Sequence, residues 1–372
     1  MAATRGDRGL RATAEDMTWT LAGAAHRAVT SAGAAARIDV LRAALPSRRR
    51  RSGRARAAAD EILDFYATTR GQPPWTTGRL IPTDGDVAVF EAGPVGDGPR
   101  ALVKVAATPA AGDGMADQQR VLARLHTNLH LGDWRRLVPY VLAGGSYRGL
   151  AYLLEQRVPG TRLESALKDS ATRSDALRSA IDALSGLHTA TSVAGTADAP
   201  VRARLVGDPI SILARAVGPI PAVDRLALRL TTAFDDVGLA LGWTHGDYWL
   251  GNVLCAPGGA VTGIVDWEYS RTDDVTALDV VNFLLTLRMW DRRQELGAVV
   301  VQLLADERWS LEETELLERS VAPRVDREVG IANIVLATWL RHMTDMLERR
   351  PDFGTHPLWM RRNVQTVLAA VA

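Results

Sequence analysis

Three side chains with oxygen donors lie close together in the sequence, within residues 243–268. Asp247 lies in a polar turn, Asn252 follows five residues later, and Asp266 ends the apolar run Gly263-Ile264-Val265. Aspartates are rarely buried without a partner or a metal. A hairpin between the two segments would bring the three side chains together, and Mg²⁺ prefers hard oxygen ligands completed by water and substrate phosphates. The spacing therefore predicts a divalent-cation site.

The same residues carry a resemblance to a known family. His245-Gly246-Asp247, with Asn252 at its offset, resembles the catalytic loop of the aminoglycoside phosphotransferase and choline kinase-like family of small-molecule kinases. That family is similar to protein kinases, whose catalytic loop has the same Asp-to-Asn spacing. Asp266 resembles the metal-binding Asp of the Asp-Phe-Gly element, here followed by Trp267-Glu268. Asp279 resembles a later Asp of the family, which we expect to brace the loop.

The resemblance implies an ATP- and Mg²⁺-dependent phosphotransferase whose acceptor is a hydroxyl of a small molecule. Asp247 would orient the acceptor hydroxyl and take its proton. Asn252 and Asp266 would hold Mg²⁺ against the ATP phosphates. His245 belongs to the catalytic loop, where we expect a brace rather than a base. The acceptor class stays open between a sugar, an aminoglycoside or other natural product, and an amino alcohol.

A lysine lies in the apolar segment 101–106, where the family places the lysine that grips the α- and β-phosphates. Lysine occurs only at Lys104 and Lys168, and the other 42 of the 44 basic residues are arginines. This scarcity favours a functional Lys104 over an exposed edge-strand lysine. The family pairs this lysine with a Glu on the next helix. Here Gln118 takes that position, and Asp117 is the alternative if the register shifts.

Three further nucleotide contacts follow from position alone. Gly85, in the turn 83–86, is our prediction for the phosphate-covering loop. Glu155 and Arg157 lie in a segment that resembles the connection between the lobes, where such kinases bind the adenine edge. The alternative is that residues 153–160 are ordinary strand and turn residues.

The predicted fold class is α+β, bilobal and protein-kinase-like, with a small antiparallel-sheet N-lobe and a larger, mostly helical C-lobe. We expect an Ala/Arg-rich extension over residues 1–74, partly helical or flexible, an ATP-binding N-lobe over 75–157, and a catalytic and acceptor-binding C-lobe over 158–372. The predicted N-lobe strands cover 79–82, 87–90, 101–106, 138–142 and 150–155, with a helix near 115–126.

Composition excludes several classes. A net charge of +1 argues against a dedicated nucleic-acid binder. The single Cys255 excludes a disulfide within the chain and a multi-thiolate metal site. We find no apolar run long enough to cross a bilayer and no signal peptide, so the expected location is cytoplasmic. The run Arg48–Arg51 is interpreted as a solvated linker, with weak contact to an anionic membrane surface or to RNA as the alternative.

Two other functions compete with the kinase interpretation. A nucleotide-binding pseudokinase or scaffold, with weak or no transfer activity, is motivated by the missing Glu partner of Lys104. A metal-dependent hydrolase using His245 and Asp247 lacks a second histidine at ligand spacing. The oligomeric state does not follow from the sequence.

Overall fold

The structure is a computed structural model that describes residues 46–83, 86–305, 308–320, 329–349 and 351–371. The chain has the predicted α+β, kinase-like fold, with an antiparallel-sheet lobe followed by a mostly helical one. The predicted loop glycine Gly85 and the extension residues 1–45 lie outside the described residues.

The N-lobe is one five-stranded antiparallel sheet in the order β1-β2-β3-β5-β4, with helices α1 and α2 on its two faces. Helix α2 begins with Pro109 in its first turn, where the missing N–H of proline costs nothing. The elements are α1 (Pro46–Thr69), β1 (Trp75–Ile81), β2 (Val87–Pro94), β3 (Ala101–Ala106), α2 (Pro109–Thr127), a 3₁₀ segment (Leu129–Leu137), β4 (Val141–Tyr147) and β5 (Leu150–Gln156).

Strand alternation gives the sheet its two faces. Val103 and Val105 of β3 pack with Ile62 and Leu63 of α1 in a buried cluster. Lys104, between the two valines, lies on the opposite face, toward α2. The sheet therefore presents its one lysine on the α2 side.

Helix α1 covers residues 46–69 of the extension that was expected to be partly helical or flexible. It includes the backbone of Arg48–Arg51, which the sequence analysis interpreted as a linker. Arginine has a high helix propensity, so a run of arginines extends a helix that is anchored further along. That anchor is the buried cluster of Ala59, Ile62 and Tyr66 against the sheet. Residues 55–66 of the predicted extension thus pack against the N-lobe sheet.

The C-lobe contains most of the helices and two small sheets, in the orders β10-β9-β6 and β11-β8-β7. Its strands are β6 (Thr161–Arg162), β7 (Val193–Thr196), β8 (Gly238–Thr244), β9 (Val253–Cys255), β10 (Val261–Ile264) and β11 (Arg271–Val275). Its helices are α3 (Leu163–Ala166), α4 (Ser170–Thr191), α5 (Ala199–Arg202), α6 (Asp208–Val217), α7 (Pro221–Ala233), α8 (Ala277–Arg292), α9 (Leu296–Leu304), α10 (Leu311–Glu318), α11 (Ile331–Arg349), α12 (Pro351–Gly354), α13 (Pro357–Met360) and α14 (Thr366–Ala370), with π-helical turns at Ala203–Gly207 and Arg361–Gln365.

Helix α8 forms the centre of the C-lobe and is buried along most of its length. It packs against α11, and its buried Arg288 pairs with Glu313 of α10. Its first turn lies beneath the end of β8, the strand that leads into the predicted catalytic loop. The core of the lobe therefore supports that loop directly. Within the described ranges, no helix combines the length and the apolar character needed to span a membrane.

Candidate active site

The predicted catalytic loop is fixed by its backbone. The buried carboxylate of Asp279 in α8 accepts hydrogen bonds from the backbone N–H of His245 at 2.6 Å and of Gly246 at 2.9 Å. Gly246 has φ +81°, and a Cβ there would lie 2.2 Å from the carbonyl oxygen of Tyr269. Only glycine fits this position. Asp279 therefore braces the loop, as its resemblance implied.

His245 connects the loop to the strand that precedes Asp266. Its Nε2 lies 2.9 Å from the carbonyl oxygen of Val265, and its Nδ1 lies 3.3 Å from the backbone nitrogen of Asp247. The tautomer that satisfies both contacts carries its proton on Nε2, which donates to Val265. The buried ring also packs against the indole of Trp267, with centroids 4.5 Å apart. Both ring nitrogens are thus used in holding the loop.

The three predicted oxygen-bearing residues meet at this loop. The antiparallel pair β9–β10 is followed by a hydrogen bond from the backbone N–H of Val265 to the carbonyl of Asn252, at 2.9 Å. The amide nitrogen of Asn252 donates to the carbonyl oxygen of Asp247 at 3.0 Å and to its Oδ2 at 3.3 Å. Asp266, directly after Val265, has φ +63°, a backbone conformation uncommon outside glycine. The buried indole of Trp267 stabilises this turn by donating to the carbonyl of Ile264 at 2.8 Å.

Lys104 reaches this group from the other lobe. Its Nζ lies 3.0 Å from Oδ1 of Asp266, 3.0 Å from Oε1 of Glu155 and 3.3 Å from Oε1 of Gln118. The amide nitrogen of Gln118 in turn donates to Oε2 of Glu155 at 3.1 Å. One β3 lysine thus joins β5, α2 and the C-lobe aspartate in a single network.

The electrostatics of this network keep Lys104 charged. Burial opposes an ammonium, but the carboxylates of Glu155 and Asp266 outweigh it and raise the pKa of Lys104. Burial raises the pKa of Glu155, although Lys104 acts against this shift. Desolvation in the cleft opposes the charge of Asp266, yet the ammonium of Lys104 lowers the pKa of that carboxyl. A permanent cation therefore lies beside the aspartate predicted to bind metal.

The other predicted nucleotide residues are engaged within the N-lobe. The Glu155 carboxylate points to Lys104 and is buried. The backbone N–H of Arg157 donates to the carbonyl of Arg100 at 2.9 Å, and its Nε lies 3.9 Å from Oε1 of Glu91. Contact of Glu155 and Arg157 with an adenine edge stays a prediction.

The network of Glu155 with Lys104 is a role that sequence reasoning missed. In the β3–β5 pairing, Lys104 lies opposite Leu153, so Glu155 projects from the same face of the sheet as Lys104. The alternation of side chains along each strand could be read from the sequence. The pairing register of β3 with β5, which places Glu155 beside Lys104, could not.

The donor set is compatible with Mg²⁺. Asn252 uses its amide nitrogen for Asp247, and its amide oxygen accepts no hydrogen bond from the described residues. The Asp266 side chain is 53% exposed, and only its Oδ1 contacts Lys104. Mg²⁺ is usually held by one or two protein oxygens together with substrate phosphates and water. In the part of the chain that is described, no cluster of three or more His, Cys, Asp and Glu residues is arranged to hold a metal alone.

A cavity of about 510 Å³ lies beside the catalytic loop, and we call it the C-lobe cavity. Arg271 of β11 pairs in register with Thr244, the residue before His245, so this wall adjoins the loop. The carboxylate of Asp247 also acts electrostatically on Asp345, another residue of the lining. The described lining residues are Arg204, Asp208, Pro209, Ser211, Ile212, Arg215, Arg271, Arg341, Thr344, Asp345 and Glu348.

The model of the phosphotransferase enzyme family matches residues 77–317, which include the whole network and the catalytic loop. The chain belongs to this family. It is therefore a small-molecule kinase. No curated protein matches it in sequence.

Several solved phosphotransferase structures are similar to this chain, and one of them has a TM-score above 0.5. A GDP complex of a variant of aminoglycoside 2′-phosphotransferase IIIa has a TM-score of 0.54 and 12% identity, over 84% of this chain and 97% of that one. An aminoglycoside phosphotransferase from Streptomyces rimosus, in complex with ADP and streptomycin, has a TM-score of 0.45 and 19% identity, over 76% and 97%. A macrolide 2′-phosphotransferase of type I has a TM-score of 0.48 and 18% identity, over 82% and 96%.

Proposed function

We propose that this kinase transfers the γ-phosphoryl group of ATP, bound with Mg²⁺, to a hydroxyl group of a small molecule. The observation that supports this most is the 3.0 Å contact between Lys104 of the N-lobe and Asp266 of the C-lobe, beside the Asp247–Asn252 loop. Two groups from distant parts of the sequence meet there, which core packing alone does not require.

Each residue has a role that phosphoryl transfer needs, because such catalysis depends on positioning and on stabilising charge. Asp247 orients the acceptor hydroxyl and accepts its proton. Lys104 binds phosphate oxygens, which replace Asp266 at its ammonium when the nucleotide enters. Asn252 and Asp266 would hold Mg²⁺, which supplies positive charge against the phosphates. His245 fixes the position of Asp247 and takes no proton.

The acceptor enters through the C-lobe cavity. Its Arg271 wall adjoins the catalytic loop, and the lining residue Asp345 feels the charge of Asp247. A hydroxyl bound there would face the carboxylate of Asp247. The volume of about 510 Å³ suits a small molecule rather than a protein segment.

The competing pseudokinase interpretation loses its motivation. It rested on the absence of a Glu partner for Lys104 on the next helix. Glu155 supplies that carboxylate from β5, at 3.0 Å.

The decisive experiment follows ADP release from ATP and Mg²⁺ over a panel of sugars, sugar acids, aminoglycosides, amino alcohols and nucleosides. With the acceptor found, Asp247→Ala should lower kcat by about 10²–10⁴-fold, because the base is lost. The affinity for ATP should stay within about twofold, since Asp247 faces the acceptor.

A matched control is Asp133→Ala, which removes an exposed carboxylate of the 3₁₀ segment and should leave kcat unchanged. Full turnover by Asp247→Ala would contradict the role of Asp247. Failure of the wild-type protein to bind ATP in the presence of Mg²⁺ would contradict the proposed reaction as a whole.

A further inference from the structure

The charges that line the C-lobe cavity are unevenly placed. Among the described lining residues, four are arginines and three are carboxylic acids. Two of the acids, Asp208 and Glu348, are exposed at the rim, so only Asp345 lies deeper. Arg271 and Arg341 are half-buried and buried, respectively. The inner part of the cavity is therefore lined mainly by guanidinium groups.

The two inner arginines share one carboxylate in the wall behind them. Nη1 of Arg341 lies 2.6 Å from Oδ2 of Asp274, and Nη1 of Arg271 lies 3.8 Å from the same oxygen. Asp274 is buried and is not part of the described lining. Nε of Arg341 is also buried and donates to none of the described residues. A buried donor without an acceptor costs free energy that a ligand oxygen would recover.

The charge of Arg271 is poorly compensated. Burial and the neighbouring guanidinium of Arg341 lower the pKa of Arg271, although Asp274 and Asp345 act against this shift. The 3.8 Å contact with Asp274 therefore compensates the charge of Arg271 only in part. Of the two other lining arginines, Arg204 pairs with Asp273 at 3.2 Å, whereas Arg215 at the rim forms no ion pair within the described part of the chain. A negative charge between these groups would stabilise the cavity, and another positive charge would destabilise it.

We propose that the acceptor of this kinase carries an anionic group, a carboxylate or a phosphate ester, which Arg271 and Arg341 bind while Asp247 faces the hydroxyl. Guanidinium groups bind both anions through paired N–H donors. The same arginines would disfavour polycationic acceptors such as aminoglycosides. This inference rests on the proposed function, since phosphotransfer makes the C-lobe cavity the acceptor site.

The test uses compounds that share one ring and differ in charge. Binding of glucose, glucosamine, glucuronate and glucose 6-phosphate is measured by calorimetry at pH 7, with and without Mg²⁺ and ADP, and streptomycin serves as the polycation. We expect one or both anions to bind at least tenfold more tightly than glucose, and the cations more weakly. The stronger of the two anions identifies the group as carboxylate or phosphate.

Variants assign the preference to the cavity. Arg271→Gln should reduce the anion preference about tenfold, and Arg271→Lys should keep part of it because the charge remains. Arg136→Gln, a change of an arginine whose side chain is 81% exposed, should leave it unchanged. The proposal is overturned if the anions bind no better than glucose, if streptomycin binds most tightly, or if the preference survives Arg271→Gln. Binding without nucleotide decides this point even if the proposed phosphotransfer fails.

Discussion

The catalytic loop and the lysine across the cleft are held by different kinds of contact. The loop is held through backbone N–H groups that donate to one buried carboxylate, Asp279. The ammonium of Lys104 is held, among the described residues, by the side chains of Glu155, Gln118 and Asp266. A hydrogen bond to the backbone fixes the path of the chain. A contact between side chains requires only that a group of opposite charge lies within reach. The carboxylate that contacts Lys104 can therefore be supplied from another position, whereas the carboxylate of Asp279 cannot.

The ionisation of Asp279 is consistent with its role as the backbone anchor of the loop. Burial opposes its charge, but the contact with His188, whose Nε2 lies 3.5 Å from Oδ2, and the field of His245 lower the pKa of Asp279. The carboxylate is therefore ionised at neutral pH, when both of its oxygens accept backbone hydrogen bonds. The anchor of the loop is part of the folded core rather than of the surface.

The largest effect is expected at this anchor. Asp279→Ala leaves two buried N–H groups without an acceptor, at about 1–3 kcal/mol each, so the free energy of unfolding should fall by about 2–5 kcal/mol. Displacement of Asp247 should also lower kcat by about 10²-fold or more. Urea unfolding and the ADP-release assay measure the two effects.

Asp279→Asn is the matched variant, because its remaining oxygen accepts one of the two hydrogen bonds. It should lose less stability than the alanine variant. If the alanine variant unfolded at the wild-type urea concentration, the backbone anchor would not hold the loop.

Changes around Lys104 should have smaller effects than the loss of Asp279, and a second substitution should reverse them. Glu155→Gln removes the N-lobe carboxylate from Lys104, and a hydrogen bond to a charged group is worth about 1.5–3 kcal/mol, so KM for ATP should rise about tenfold or more. Gln118→Glu places a second carboxylate beside Glu155, where Gln118 Nε2 now donates at 3.1 Å, and should lower stability by repulsion.

The double variant Gln118→Glu with Glu155→Gln returns one carboxylate to Lys104, now from α2. Its KM for ATP and its unfolding free energy should lie closer to wild type than the two single changes predict when added. Additive effects would show that the two positions do not share the charge. Such additivity would refute the idea that side-chain anchors are exchangeable here.

The parts of the site that the sequence predicted are those set by local spacing. The turn with Asp247, the hairpin and Asp266 all lie within one short segment, so their convergence needs only one antiparallel pair. The apolar neighbours of Lys104 likewise indicated a strand, and the scarcity of lysine in the chain favoured a functional role for this one.

The parts that were not predicted depend on register and on distant packing. Glu155 contacts Lys104 only because Lys104 lies opposite Leu153, and a shift by one residue would turn Glu155 to the other face. The wall of the C-lobe cavity joins Arg271 and Arg341 from different elements through Asp274. No local pattern in the sequence indicates which helix packs beside β11.

The smallest expected effect concerns Asp345, a carboxyl group that lacks the hydrogen bonds that hold Asp279. Asp345 is half-buried like many groups near the site, yet it forms no hydrogen bond or ion pair with any described residue. Burial raises the pKa of Asp345 from 3.8 to about 6; Arg341 and Arg271 oppose this, and Asp247 and Glu348 add to it. Asp279 is more deeply buried and shifts the other way, so hydrogen bonding rather than depth decides the direction.

A raised pKa means that the folded protein favours the neutral form of Asp345. Ionisation of Asp345 therefore costs more free energy in the folded protein than in the unfolded chain. The free energy of unfolding falls as the pH rises from about 4 through about 6. Asp345→Asn cannot ionise, so its stability advantage over wild type should grow by about 1 kcal/mol between pH 5 and pH 8. Thermal unfolding at both pH values measures this, with Asp133→Asn as the exposed control. An advantage that shrank with rising pH would contradict the raised pKa of Asp345 and would mean that the surrounding arginines stabilise its charge more than burial opposes it.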